Sequence, residues 1–111
     1  MELNALVLVL TALADPVRRE IVELLATGEM GAGEIAERFP VTRPAISRHL
    51  RVLREAGLVE VRPDGRRRLY ALRPEPLAEL DAWLAPYRRH WAGRLDALER
   101  HLDTQATKEA P

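Results

Sequence analysis

The spacing of apolar residues along this chain changes period twice, and the changes separate helices from strands. Leu3, Leu6, Val7, Leu10 and Leu13 recur at helical spacing, with Leu8 making this first helix apolar on more than one side. Asp15-Pro16 predicts the next helix start, with aspartate as cap and proline at the first helical position. In that second helix Val17, Ile21, Leu24 and Leu25 form the stripe to be buried, and Gly28 predicts its end. A short third helix is expected from Ala32 to Phe39, burying Ile35, Ala36 and Phe39.

Thr42 caps a fourth helix, and Pro44 falls in its first turn, where a missing N–H costs nothing. Ile46, Leu50, Leu53 and Gly57 are spaced for the core, with Gly57 as the C-terminal stop. The period then drops to two. Val59 and Val61 alternate with polar neighbours, as do Leu69 and Ala71, so both segments read as half-buried strands. The turn chemistry between them lies in Arg62-Pro63-Asp64-Gly65-Arg66.

Helical spacing returns from Glu75. Leu77, Leu80, Leu84, Tyr87, Trp91, Leu95, Leu98 and Leu102 step by three or four, close to a heptad seam. Pro86 interrupts the seam, which predicts a kink or two abutting helices. Residues 1–103 read as one domain and residues 104–111 as a disordered tail. The expected fold is mostly α with a small β-hairpin: four helices, the hairpin, then a fifth helix. Helices three and four make a helix-turn-helix, and the hairpin supplies a wing.

Composition adds one decisive fact. The 111 residues carry no net charge, yet the charge is sorted along the chain. Residues 1–39 hold three Arg against seven acidic side chains, residues 40–73 nine Arg against three, and residues 74–111 five basic against seven. The three blocks are thus −4, +6 and −2, so a neutral protein carries a local basic patch of the kind that contacts phosphate. No cysteine is present, which excludes disulfides and thiolate metal sites. The apolar run from Leu3 to Ala14 is too short to span a bilayer and lacks a basic leader, so no signal peptide is read and a cytoplasmic location is expected.

The basic block contains the candidate site. On helix four Arg43, Ser47, Arg48, Arg51 and Arg54 lie off the core stripe. The first four fall toward the N-terminal half, where a recognition helix meets base edges. Arginine there suits guanine O6 and N7, worth roughly 1–3 kcal/mol of discrimination per good pair. Thr42 and Ser47 offer hydroxyls to phosphate or base. His49, beside the core stripe, reads more as a packing and hydrogen-bonding residue than as a base reader, though it joins the candidate set. Arg62, Arg66, Arg67 and Arg68 cluster at the hairpin, where alternation sends Arg66 and Arg68 to one face and Arg67 to the other. Backbone or minor-groove contact is their expected role.

The first and last helices carry more apolar surface than a small winged helix buries. Leu3, Leu6, Val7 and Leu10, with Trp83, Tyr87, Trp91, Leu95, Leu98 and Leu102, are therefore the candidate dimerisation residues. A two-fold dimer would set two recognition helices about 34 Å apart on an inverted-repeat operator.

Three motifs carry a resemblance. Residues 12–21 (ALADPVRREI), the run from Ser47-Arg48-His49-Leu50 to Gly57-Leu58-Val59, and Gly65-Arg66-Arg67-Arg68-Leu69-Tyr70 resemble the ArsR family of bacterial winged-helix repressors. The likeness covers residues 3–103; Pro40 departs from it, standing where the family's turn often has glycine. It implies a homodimer that occludes its own or a neighbouring promoter. The stretch from Trp91 to Leu102 looks like the subgroup without metal ligands, often encoded beside a small lipid-binding-fold protein. The family's metal positions are indeed absent. Residues 31–39 hold no cysteine, and the last-helix site, counted from Asp81, falls on Trp83, Arg94 and Ala97. His90 and His101 lie roughly 16 Å apart along a straight helix, too far to share an ion within one chain, although a dimer could bring them together.

Neither a nucleophile motif nor a glycine-rich phosphate loop is present, so no enzyme activity and no cofactor is expected. Two rival readings stand beside a DNA-binding regulator. One is a winged helix used for protein interaction; the other is a small-molecule sensor working through Trp83, Tyr87 and Trp91 at a dimer interface.

Overall fold

Asp15 and Thr42 set the helix starts on which the fold is built. Each has extended backbone, and each accepts a hydrogen bond from the amide three residues on: Arg18 N–H to Asp15 Oδ1 at 3.1 Å, and Ala45 N–H to Thr42 Oγ1 at 3.2 Å. Proline follows within two residues in both. Such a cap is worth about 1 kcal/mol. The computed structural model describes the backbone of residues 1–109 and the side chains of residues 1–106.

The elements run α1 (Leu3–Leu13), α2 (Pro16–Leu25), β1 (Met30–Gly31), α3 (Ala32–Ala36), α4 (Arg43–Glu55), β2 (Val59–Asp64), β3 (Arg67–Leu72) and α5 (Glu75–Glu109). The expected order of helices and hairpin is present, with α3 ending three residues early in a turn. A strand that local sequence did not announce, β1, pairs antiparallel with β3, so the sheet order is β1-β3-β2. Two compact units result, Met1–Leu80 and Asp81–Pro111.

In the first unit every helix contributes one stripe to a common core. Val9 and Ala12 of α1, Ile21, Val22 and Leu25 of α2, Ile35 of α3, and Ile46, Leu50 and Leu53 of α4 meet Leu58, Val59 and Tyr70. Leu77 and Leu80, at the start of α5, pack against its rim. No polar side chain is buried among the described residues.

Two faces differ from the sequence reading. On α1 the protomer buries Leu6, Val9 and Ala12, leaving Leu3, Val7, Leu8 and Leu10 exposed. A helix apolar on several sides does not reveal which stripe the core takes. On β3 the core face is Tyr70 and Leu72, opposite Val61 and Val59, rather than Leu69 and Ala71. Leu69 lies on the other face and is covered as well, which disguised the alternation.

The hairpin is tighter than expected. β2 continues through Pro63 and Asp64, leaving Gly65-Arg66 as a two-residue turn with Gly65 at φ 62 and no positive φ at Arg66. That pattern is the one whose twist suits paired strands. Pro63 is tolerated because β2 is a sheet edge.

α5 runs unbroken through Pro86, which corrects the alternative of two abutting helices. It also continues to Glu109, which corrects the expected tail over residues 104–109, while residues 110–111 lie outside the described residues. The segment Thr104-Gln105-Ala106-Thr107-Lys108-Glu109 contains no glycine or proline, so nothing in it ends a helix already under way. Within the second unit Trp83, Tyr87, Trp91, Leu95, Leu98 and Leu102 are all 40–60 % exposed.

Gly57 closes α4. Its N–H donates to the Arg54 carbonyl at 2.9 Å and Leu58 N–H to the Leu53 carbonyl at 3.0 Å, with Gly57 at φ 77. These are the two bonds of a Schellman motif, and the left-handed residue between them disfavours any Cβ. Gly57→Ala is expected to lower unfolding stability by about 1–2 kcal/mol in urea titrations at fixed protein concentration. No loss would show that this position relaxes out of the left-handed region.

Candidate nucleic-acid interface

Burial of three residues orients α4. Ile46, Leu50 and Leu53 are each at most 1 % exposed, which fixes the rotation of the helix about its axis. Arg43, Ser47, Arg48, Arg51 and Arg54 are consequently exposed. Among the described residues none of these four arginines has an ion-pair partner. Thr42 stands exposed at the start of the helix; its oxygen is occupied by the cap, but its O–H remains free to donate.

His49 turns away from this set. It is half-buried and faces α2, where Arg18 Nη1 lies 3.3 Å from its Nδ1. A guanidinium has no acceptor, so Arg18 donates and Nδ1 accepts. Its Nδ1 side is thereby engaged within the protomer. The same guanidinium caps the end of α1, with Nε donating to the Ala12 carbonyl at 2.7 Å and Nη2 to the Thr11 carbonyl at 3.1 Å. Arg19 adds a bond to the Leu13 carbonyl at 3.0 Å. Cations at a helix C-terminus satisfy carbonyls that have no partner within the helix. The motif Asp15-Pro16-Val17-Arg18-Arg19 thus starts one helix and finishes another, and it also holds the recognition helix by its histidine. The motif is visible in the sequence, but its contacts to the end of α1 and to His49 are visible only in the fold.

The wing arginines fall into two pairs. Arg66 and Arg68 are exposed and without an ion-pair partner among the described residues. Arg68 lines a shallow groove with Arg54, Val61, Arg62 and Pro63, which joins the end of α4 to the wing. Arg62 and Arg67, on the opposite face of the hairpin, are engaged. Arg62 Nε donates to Glu29 Oε2 at 3.1 Å with a second bond from Nη2 to Oε1, and Arg67 Nη2 donates to Glu34 Oε1. Two of the four candidate wing arginines are thus paired with carboxylates of their own protomer, and two are not. Both acidic partners lie 33 residues back in the chain, so no local pattern signalled them.

The Arg62 guanidinium holds the Glu29 carboxyl below its ordinary value, and Glu29 in turn raises Arg62. At Asp15 the amide of Arg18 is the main cause of a lowered value, opposed by desolvation and assisted by the positive charge of the Arg18 side chain. Among the described residues no group of three His, Cys, Asp or Glu is arranged to hold a metal. Nor is any described helix long and apolar enough to cross a membrane.

Residues 15–61 match the model of the family described as bacterial regulatory protein, arsR family. The chain is 47 % identical over 94 residues to the HTH-type transcriptional regulator Rv2034 of Mycobacterium tuberculosis, covering 85 % of each. It is 38 % identical over 76 residues to the transcriptional repressor SdpR of Bacillus subtilis, covering 68 % of this chain and 84 % of that one. Its structure resembles the homodimeric winged helix-turn-helix DNA-binding domain of Mb0332 from Mycobacterium bovis, with a TM-score of 0.65 and 32 % identity over 83 % of this chain and 85 % of that one.

The Asp15 cap gives a prediction with a definite sign. Its carboxyl is lowered in the fold from 3.8, so its stabilisation is complete above that value and is lost as pH falls through the lowered one. Asn caps nearly as well but carries no charge, so Asp15→Asn is expected to cost about 0.3–1 kcal/mol at neutral pH. Urea unfolding followed from about pH 6 to about pH 2 should show the two proteins converging in acid. A gap that persists there would mean the carboxylate charge is not its source.

Proposed function

The chain belongs to the ArsR family of bacterial regulatory proteins, and from that premise we propose that it is a homodimeric repressor acting on an inverted-repeat operator. It is a DNA-binding transcriptional regulator and not an enzyme. The observation that carries the finer reading is the set Arg43, Ser47, Arg48 and Arg51, turned outward by the core on α4, its arginines without ion-pair partners among the described residues.

In this reading the N-terminal half of α4 enters the major groove. Arg43, Arg48 and Arg51 then donate to guanine edges or phosphate, and Thr42 and Ser47 bond the flanking backbone. Arg66 and Arg68 at the wing tip reach phosphate or the adjacent minor groove. Two protomers meet through the apolar residues each leaves exposed: Leu3, Val7 and Leu10 of α1, and Trp83, Tyr87, Trp91, Leu95, Leu98 and Leu102 of α5. Leu6, used by the protomer's own core, leaves that set. The homodimeric state of the Mycobacterium bovis domain and the repressor role of the Bacillus relative support the assembly and the sign of regulation. A cytoplasmic location accords with access to chromosomal DNA. With no metal-holding cluster among the described residues of one protomer, repression is proposed to be metal-independent.

Selection of bound duplexes from a random pool tests the whole reading. A palindromic site is expected, with half-sites about one DNA turn apart. An empty or asymmetric pool would overturn the function or the dimer respectively. Within that site Arg48→Ala is expected to relax sequence preference at one position by roughly 1–3 kcal/mol. Arg68→Ala is expected to weaken all duplexes alike and to flatten the salt dependence by about one unit of slope. Equal losses on operator and random DNA for both variants would remove this division of roles. Zinc or a chelator is expected to leave operator affinity unchanged; a clear response would instead indicate an ion shared between protomers, with His90 and His101 the first residues to replace.

A further inference from the structure

The two engaged wing arginines raise a question that DNA binding alone does not answer. A surface built to hold phosphate would gain from every cation, yet Arg62 and Arg67 are each occupied by a carboxylate. Both pairs are exposed, with all four side chains 40–56 % accessible. Exposed pairs contribute little to stability, so holding the fold together is a weak reason for them. The backbone makes room for one of them: a Cβ at Gly31 would stand 3.2 Å from Arg67 Nη2 and 3.4 Å from Glu34 Oε1. A side chain there would crowd the guanidinium where it crosses the sheet to α3.

We propose that Glu29 and Glu34 are specificity-determining residues that mask Arg62 and Arg67 and so lower binding to DNA of arbitrary sequence. The inference rests on the DNA-binding reading above. Sequence-independent affinity grows with the number of phosphates neutralised, whereas base reading by α4 does not. Released from their carboxylates, two further flexible cations at the wing would add phosphate contacts on every duplex alike. Holding them on carboxylates keeps the wing's contribution small relative to that of the recognition helix. Because the pairs are exposed and weak, they set a threshold rather than a lock.

The test uses the full-length protein, a random-sequence duplex and the selected operator. It compares Glu29→Gln, Glu34→Gln and the double variant with Glu60→Gln. Glu60 is an exposed acid of β2 without an ion-pair partner among the described residues, so it reports the effect of removing a negative charge alone. Beyond that control, each unmasked arginine is expected to raise random-duplex affinity roughly two- to fivefold, the fold-change matching the strength of an exposed pair. Each should also steepen the salt slope by about 0.9. The operator-to-random ratio should fall, and adding Arg62→Gln and Arg67→Gln should restore wild-type behaviour. The proposal is overturned if the Glu29 and Glu34 variants behave like Glu60→Gln. It is equally overturned if Arg62→Gln and Arg67→Gln alone flatten the wild-type slope, because those arginines would then already touch phosphate. A wild-type protein that binds no duplex at low salt would instead remove the DNA-binding reading itself.

Discussion

The whole cationic side of α4 follows from the burial of Ile46, Leu50 and Leu53. Each aliphatic side chain taken fully out of water contributes about 1.5–3 kcal/mol, and these three lie on one side of a single helix. A slip of one position would rotate the helix by about 100° and carry Ser47, Arg51 and Arg54 into those places. Burying unpaired guanidinium groups would cost far more than the leucines return. Rotation of α4 is therefore decided by the core, and the outward direction of its arginines is the same fact seen from the other side. The caps do the equivalent along the axis. Thr42 starts the helix and Gly57 ends it, so both the rotation and the extent of the cationic surface are set by residues that need not touch DNA.

What was readable in the sequence and what was not divide along a physical line. Signals local to the backbone were readable: Asp15-Pro16 and Thr42 at the starts, Gly57 at the end, and Gly65 in the turn. So was the stripe of α4, because its other side is emphatically polar. Features decided by distant partners were not. β1 is two residues long and exists because Met30 and Gly31 pair with Tyr70 and Leu69. The phase of β3 was obscured because Leu69 and Tyr70 are both covered. On α1 apolar residues surround the helix, and the core's choice of Leu6, Val9 and Ala12 depends on neighbours the local pattern does not contain. The pairing of Arg62 and Arg67 has the same origin: composition counts charges, and only the fold says which are cancelled.

That last point changes the meaning of the charge distribution. The acidic N-terminal block and the basic middle block are segregated in sequence, yet Glu29 and Glu34 cross the boundary to neutralise part of the basic block. Among the described residues, the arginines of the basic block left without an ion-pair partner are those on the outer side of α4 together with Arg66 and Arg68. Charge matters here by position and engagement, not by sum. A neutral chain can thus present a strongly cationic face while keeping its total, and part of that face, in balance.

The Arg18 guanidinium raises a parallel point about geometry. Apolar contacts between α1, α2 and α4 are non-directional and would tolerate small rotations, whereas hydrogen bonds to Ala12, Thr11 and His49 fix both distance and direction. One side chain therefore refers the recognition helix to the end of α1, whose exposed Leu3, Val7 and Leu10 face outward. In the proposed dimer α1 is tied to the partner and α4 to DNA, so the spacing of the two recognition helices depends on the angle between these elements. Angular error grows with distance from the two-fold axis, and contacts at base edges need hydrogen-bond precision. A polar tie at the junction of α1, α2 and α4, half-buried beside an otherwise apolar core, is the economical place to control that error. It also explains why His49, on α4, is engaged inward by Arg18.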